Sequence, residues 1–169
     1  MDTITVIALS IDNPIIKTVG MLLESSLIYG GLILALLLLG ERRNEKRVKI
    51  LLSLIIAGLA ATAIKALIAE ARPCAGESWC PEGYSFPSMH AVLAFTLMTG
   101  FFNKKSYAFY LFFALFVSFT RLNLGVHIFQ DVAGALPVAL ISYYITDKLW
   151  RMYVGETPLK RGNEDEKRD

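Results

Sequence analysis

Long apolar runs alternate with short charged stretches along this chain. Thr18–Gly40 is apolar apart from Glu24, Ile50–Ala69 apart from Lys65, and Ser88–Phe102 apart from His90 and its polar neighbours. Ser106–Thr120 carries no charge, and His127–Thr146 carries only Asp131. A helix crosses the hydrocarbon core of a bilayer in about 20 residues. The first, second and fifth runs meet that length, while the third and fourth need their polar ends to complete a crossing. The pattern predicts an all-α, polytopic transmembrane bundle of about five spans. Thr3–Ile11 is apolar but too short to cross. Asp12-Asn13-Pro14 then reads as a turn and helix start, so the N-terminal segment is expected to lie at the interface and lead into the first span. It lacks the basic region of a cleaved signal peptide.

Composition and charge agree with this picture. Of the 169 residues, 54% are hydrophobic and 19% charged, which leaves too little polar sequence to cover such helices in water. A net charge of +2, with no basic face, argues against nucleic acid as a partner. The loop Glu41–Lys49 holds Arg42, Arg43, Lys46, Arg47 and Lys49; the turn before the fourth run holds Lys104 and Lys105; the C-terminal part holds Lys148, Arg151, Lys160, Arg161, Lys167 and Arg168. Positive charge marks the cytoplasmic side. Five spans then put the N-terminus outside and the C-terminus inside. One membrane domain is expected over residues 1–156, with a charged, disordered cytoplasmic tail over 157–169. Cys74 and Cys80 fall in an outer loop, where an oxidising compartment permits a disulfide.

The outer ends of the spans carry Lys65, Arg72, Ser88, His90, Arg121, His127 and Asp131. Ionisable groups at membrane depth are costly and mark function. Singly, each has a plainer reading: Lys65 snorkels, Arg72 flanks a span, and Asp131 pairs with Arg121. Glu24, Glu70, Glu77 and Glu82 read as solvated or interfacial carboxylates, and Trp79, Tyr84 and Phe86 as an aromatic belt. Jointly, the cations describe an oxyanion site, because a guanidinium matches phosphate oxygens in pairs and lysine adds a point charge. Ser88 is suited to the N-cap of an apolar helix whose free N–H groups face the same pocket. His127 and Asp131 are four apart and on a helix would share a face. Asp131 would then orient the ring and leave one nitrogen free as a nucleophile. His90 remains as general acid.

These residues resemble the type 2 phosphatidic acid phosphatase superfamily, which includes lipid phosphate phosphatases and vanadium haloperoxidases. Its three ordered motifs correspond to Lys65 with Arg72-Pro73, to Pro87-Ser88-Met89-His90, and to Thr120-Arg121 with His127 and Asp131. Met89 stands where the family has glycine and Thr120 where it has serine. The family's membrane members commonly have six spans rather than five. The resemblance implies that His127 attacks phosphorus to form a phosphohistidine, that Asp131 orients it, and that His90 protonates the leaving oxygen. Lys65, Arg72, Ser88, Arg121 and the backbone N–H near Met89 would hold the phosphate.

No metal or other cofactor is expected: the carboxylates do not cluster, and both histidines have roles. The partner is a membrane lipid substrate, with phosphate or vanadate as ligand or inhibitor. The expected activity is hydrolysis of a lipid phosphate or diphosphate at the outer face of the cell membrane. Short loops favour a polyprenyl diphosphate of the undecaprenyl or dolichyl kind. Phosphatidic acid and phosphatidylglycerol phosphate are alternatives. So are a lipid phosphotransferase and a non-catalytic anion or lipid transporter.

Overall fold

The computed structural model describes residues 1–154, all of its regular structure helical. The tail expected over 157–169 lies outside the described residues. Helix α1 is Thr3–Ser10, with Asp2 at its N-cap accepting from the Thr5 N–H at 2.8 Å. Helix α2 is Pro14–Glu24, with Asn13 capping its first turn and proline opening it. The two meet at 110°, because the Asp12-Asn13-Pro14 turn ends one helix and starts the next.

The first apolar run is not one helix. It breaks at Ser25, which is extended (φ −65°, ψ 116°), and resumes as α3, Ser26–Gly40. No proline or glycine marks the break. At the break the side chain of Glu24 is engaged by a buried arginine on another helix. The remaining helices are α4 (Asn44–Ile68), α5 (Met89–Gly100), α6 (Tyr107–Asn123), α7 (Phe129–Ala133) and α8 (Ala135–Val154). The fifth apolar run is thus divided too, into the short α7 and the long α8. Among the described residues, α4 alone is long and apolar enough to cross a membrane by itself, and α1 with α2 qualifies only as a bent pair. Helices α3, α5 and α6 are shorter apolar segments.

Helix α5 occupies the centre and packs on α4, α6 and α8, while α4 and α8 pack on each other. Most of α5 is buried, including Ala91, Val92, Ala94, Phe95, Leu97 and Met98. Small residues at the crossings, among them Ala57, Ala61, Ala94, Ala135 and Ala139, let the backbones approach closely. The outward faces are also apolar, with Leu39, Leu59, Phe112 and Ile141 all exposed. A bundle apolar inside and outside suits lipid rather than water.

Helix α4 fixes the two ends of the bundle. Its C-terminal turn carries Lys65. Its N-terminal turns, roughly 30 Å away at 1.5 Å per residue, sit among the basic loops. There the Glu41 side chain is buried, 3.3 Å from Lys104, 3.6 Å from Arg43 and 3.7 Å from Lys46. Lys49 pairs with Asp147 at 2.7 Å, tying α4 to α8. Burial pushes the Glu41 pKa up, but the Arg43 N–H and the Lys104 and Lys46 ammoniums outweigh it, so the net shift is below the ordinary 4.5. A lowered carboxylate contributes stability that is present above its unfolded pKa and lost as pH falls through its folded one. We expect Glu41→Gln to lower the melting temperature in detergent at pH 7. The variant should also show a shallower loss of stability below about pH 4.5 than the unaltered protein, as read from thermal unfolding at several pH values.

Candidate active site

His127 does not lie on a helix with Asp131. It sits just before α7, in a segment entered through Gly125, whose φ of +70° is the left-handed conformation that favours glycine. Asp131 is the third residue of α7. Its Oδ2 accepts the Ile128 N–H at 2.9 Å, in the manner of a capping carboxylate, and His127 Nδ1 at 3.0 Å. The expected contact is therefore made around a helix start rather than along a helix face.

The bonding pattern assigns the imidazole tautomer. An aspartate oxygen only accepts, so Nδ1 carries the proton. The other nitrogen, Nε2, is 3.4 Å from Arg72 Nη1, a group that only donates. Nε2 consequently holds a lone pair. The Ser85 hydroxyl also donates to Asp131 Oδ2 and lies 3.3 Å from His127 Nδ1. Three donors on one buried oxygen fix the carboxylate, and through it the ring.

The cations arrive from three elements. Lys65, on the last turn of α4, donates to the carbonyls of Tyr84 (2.6 Å) and Ser85 (2.9 Å). Arg72, in the loop after α4, donates to the carbonyls of Gly83 and Val126, both at 3.3 Å, and Glu82 at 3.4 Å. Partial burial lowers the Arg72 pKa from its ordinary value, against the opposing pull of Glu24 and Asp131; a guanidinium stays charged regardless. Arg121, near the end of α6, is fully buried. Its Nη1 pairs with Glu24, its Nη2 donates to the Gly20 carbonyl at 2.6 Å, and its Nε donates to Thr120 Oγ1 at 3.3 Å. The structural partner of Arg121 is therefore Glu24, not Asp131.

The loop carrying Arg72 is closed by the expected disulfide between Cys74 and Cys80, with Cα atoms 5.6 Å apart. It leads into Ser88, which is the N-cap of α5 as expected. The Ser88 N–H donates to the Asp131 carbonyl at 3.0 Å, locking the start of α5 to α7. The Ser88 hydroxyl is buried and has no hydrogen-bond partner within the protein. Met89 is partly buried and packs against the apolar core. Close packing also joins the loop to the start of α8. A Cβ at Gly134 would come within 2.2 Å of the Phe86 ring, beside Ser85.

His90, in the first turn of α5, is held from the N-terminal helices. Its Nε2 is 3.0 Å from the Leu23 carbonyl, an acceptor, so that nitrogen bears a proton. Tyr29 donates to the His90 carbonyl at 2.7 Å, and the two rings lie 4.6 Å apart. The last turn of α2 therefore touches two site residues: Gly20 and Glu24 hold Arg121, and Leu23 holds His90. Sequence reasoning missed Glu24 and Ser85. A carboxylate inside an apolar run was the available signal for Glu24. Ser85 had none, being one serine in a loop.

The arrangement offers an oriented nucleophilic nitrogen, a second imidazole, three cations and a free helix start, a set suited to a tetrahedral oxyanion. No curated protein is similar to the chain at a significant level. Two solved structures share its fold. The crystal structure of Aquifex aeolicus LpxE is 21% identical, with a TM-score of 0.70 over 86% of this chain and 93% of that one. The crystal structure of the first transmembrane PAP2 type phosphatidylglycerolphosphate phosphatase from Bacillus subtilis is 22% identical, with a TM-score of 0.67 over 86% of this chain and 82% of that one. Both likenesses are of fold: the described helices are arranged as in those two proteins. The sequence model of the PAP2 superfamily matches residues 46–153, which covers all three motifs. On that match the chain belongs to the PAP2 superfamily, the family its motifs resemble.

Proposed function

We propose that this protein is an integral-membrane lipid phosphatase that works through a phosphohistidine at the outer face of the membrane, with its C-terminus in the cytoplasm. The observation that carries the reading is the His127 ring, with Nδ1–H bound to Asp131 and Nε2 left with a lone pair beside Arg72. His127 Nε2 attacks phosphorus, and the bond from phosphorus to the lipid oxygen breaks. His90, carrying a second proton at Nδ1, gives that proton to the leaving oxygen. Water then attacks the phosphohistidine, His90 takes its proton, the P–N bond breaks and inorganic phosphate leaves. Lys65, Arg72, Arg121, the Ser88 hydroxyl and the N–H of Met89 balance the charge on the phosphoryl oxygens.

Metal independence follows from that division of labour, since the cations already neutralise the phosphate. Activity is expected to survive millimolar EDTA, measured as phosphate release; loss in EDTA restored by magnesium would sink this. Vanadate, which takes up a five-coordinate geometry on an imidazole, is expected to inhibit.

A transferase would use the same intermediate and pass phosphate to an alcohol, so added acceptors would yield new phosphoesters. A transporter has no need of the His127–Asp131 pair. Short loops put a polyprenyl diphosphate first among the substrates, with phosphatidic acid and phosphatidylglycerol phosphate as alternatives. The similarity to the Bacillus subtilis phosphatase adds weight to the last. The test is phosphate release by the purified protein in detergent from these three lipids, beside a His127→Ala control. Release that vanishes in the control supports the reading. No release from a folded protein overturns it.

A further inference from the structure

Three contacts reach His90 from the corner where α2 gives way to α3. The Leu23 carbonyl meets the ring at Nε2, 3.0 Å away. In an unbroken helix that carbonyl would accept the Leu27 N–H. Ser25 is extended instead (φ −65°, ψ 116°), and the carbonyl is turned to the imidazole. The Tyr29 ring lies against the imidazole, with centroids 4.6 Å apart and planes at 52°. The Tyr29 hydroxyl donates to the His90 carbonyl at 2.7 Å. Tyr29 is only 3% exposed, and close packing holds a buried ring in one rotamer.

A motif supplies a histidine, but it does not say which ring nitrogen carries the mobile proton. Here an acceptor fixes the choice. A carbonyl only accepts, so Nε2 keeps its hydrogen, and Nδ1 is the nitrogen that gains and loses one. That requires a ring that cannot turn away from Leu23. Tyr29 covers one face of the ring, and its hydroxyl ties it to the backbone of the same residue. Tyr29 belongs to none of the three motifs and precedes residue 46, where the superfamily match begins.

We infer that Tyr29 is the positioning residue of His90: it keeps the imidazole on the Leu23 carbonyl as the Nε2–H tautomer and leaves Nδ1 to exchange the proton. The destination of that proton, the leaving oxygen, rests on the phosphatase reading; the tautomer does not.

Two measurements on the purified protein in detergent test this. The chain has two histidines, so isotopic labelling of the imidazole nitrogens gives two ring patterns by NMR, and His127→Ala assigns them. At about pH 8.5, above the ordinary imidazole pKa of about 6.5, His90 is expected to show a protonated Nε2 and a bare Nδ1. Tyr29→Leu should bring the two nitrogens toward a common averaged shift. Tyr29→Phe, which keeps the ring, should retain the difference.

The second measurement is kcat/KM for phosphatidic acid, phosphatidylglycerol phosphate, farnesyl phosphate and para-nitrophenyl phosphate. The three lipids release an alkoxide, which needs a proton as it leaves; nitrophenolate does not. Tyr29→Leu is expected to cost about 10- to 100-fold on whichever lipids are turned over, the scale of a misplaced catalytic group, and under about twofold on nitrophenyl phosphate. Tyr29→Phe, short of one neutral hydrogen bond, should cost about fivefold on the lipids alone, and it carries the test if the leucine variant does not fold. Equal losses on lipid and nitrophenyl substrates overturn the inference and leave the phosphatase standing. So does an Nδ1–H tautomer in the unaltered protein, or a tautomer that Tyr29→Leu leaves unchanged. No release from any substrate by folded protein overturns the phosphatase reading and the acid role together, and the ring signals then decide by themselves whether Tyr29 holds His90.

Discussion

Replacing His127 by alanine is expected to abolish phosphate release, with kcat falling by about 10⁴-fold or more, the scale seen when a covalent nucleophile is removed. The loss should appear in kcat rather than in KM, because the cations that bind the phosphate remain. Asp131→Asn is the sharper companion. Its amide can still accept the Ile128 N–H, yet it no longer offers a charge to the His127 ring and can drive the ring into the other tautomer. We expect a loss of about 10²- to 10⁴-fold with the helix start intact. Activity above a few per cent in His127→Ala, in protein that elutes as a folded species, would remove His127 from the mechanism.

Removing the carboxylate of Glu24 is expected to have the second largest effect, and to act through both stability and activity. Arg121 is fully buried, and Glu24 is its charged partner. Taking away one member of such a pair strands the other, at a cost of about 3–5 kcal/mol in a dry interior. The Glu24 side chain is 35% exposed, so we expect about 2–3 kcal/mol for Glu24→Ala, toward the weaker end of that range. Glu24→Gln, which can still accept from the guanidinium, should lose less. Thermal unfolding in detergent reads the stability. In the kinetics, an Arg121 freed from its anchor should raise KM for the phosphate substrate more than it lowers kcat. An unchanged melting temperature and unchanged KM in both variants would show that the pair does not position Arg121.

The motif residues stood out because a phosphate site of the kind proposed here asks for particular side chains at fixed spacings. Lys65, Arg72, Ser88, His90, Arg121, His127 and Asp131 would be a costly set to keep at membrane depth for any lesser purpose. The geometry behind those spacings was less legible. Four residues separate His127 from Asp131 both on a helix face and around a helix start, and only the fold distinguishes them. The break at Ser25 could not be read from an apolar run with no proline or glycine at that point, and the ion pair beside it joins α2 to α6 far along the chain. Glu24 was visible as a carboxylate among apolar residues, but its partner, Arg121, was already assigned to phosphate. The outward apolar faces, by contrast, follow directly from the hydrophobic pattern.

The superfamily match begins at residue 46, so α1, α2 and α3 precede it. Yet the last turn of α2 reaches into the centre and holds Arg121 and His90 from outside. The protein is thus divisible into an engine and an attachment. On the phosphatase reading proposed here, the reacting groups sit in the later helices, and two of the site residues are held from the earlier ones. An exchange of everything ahead of α4 between relatives would leave every motif residue in place and yet replace the groups that hold Arg121 and His90. In such chimaeras activity should fail wherever the transplanted α2 lacks a carboxylate in the place of Glu24, the partner of Arg121.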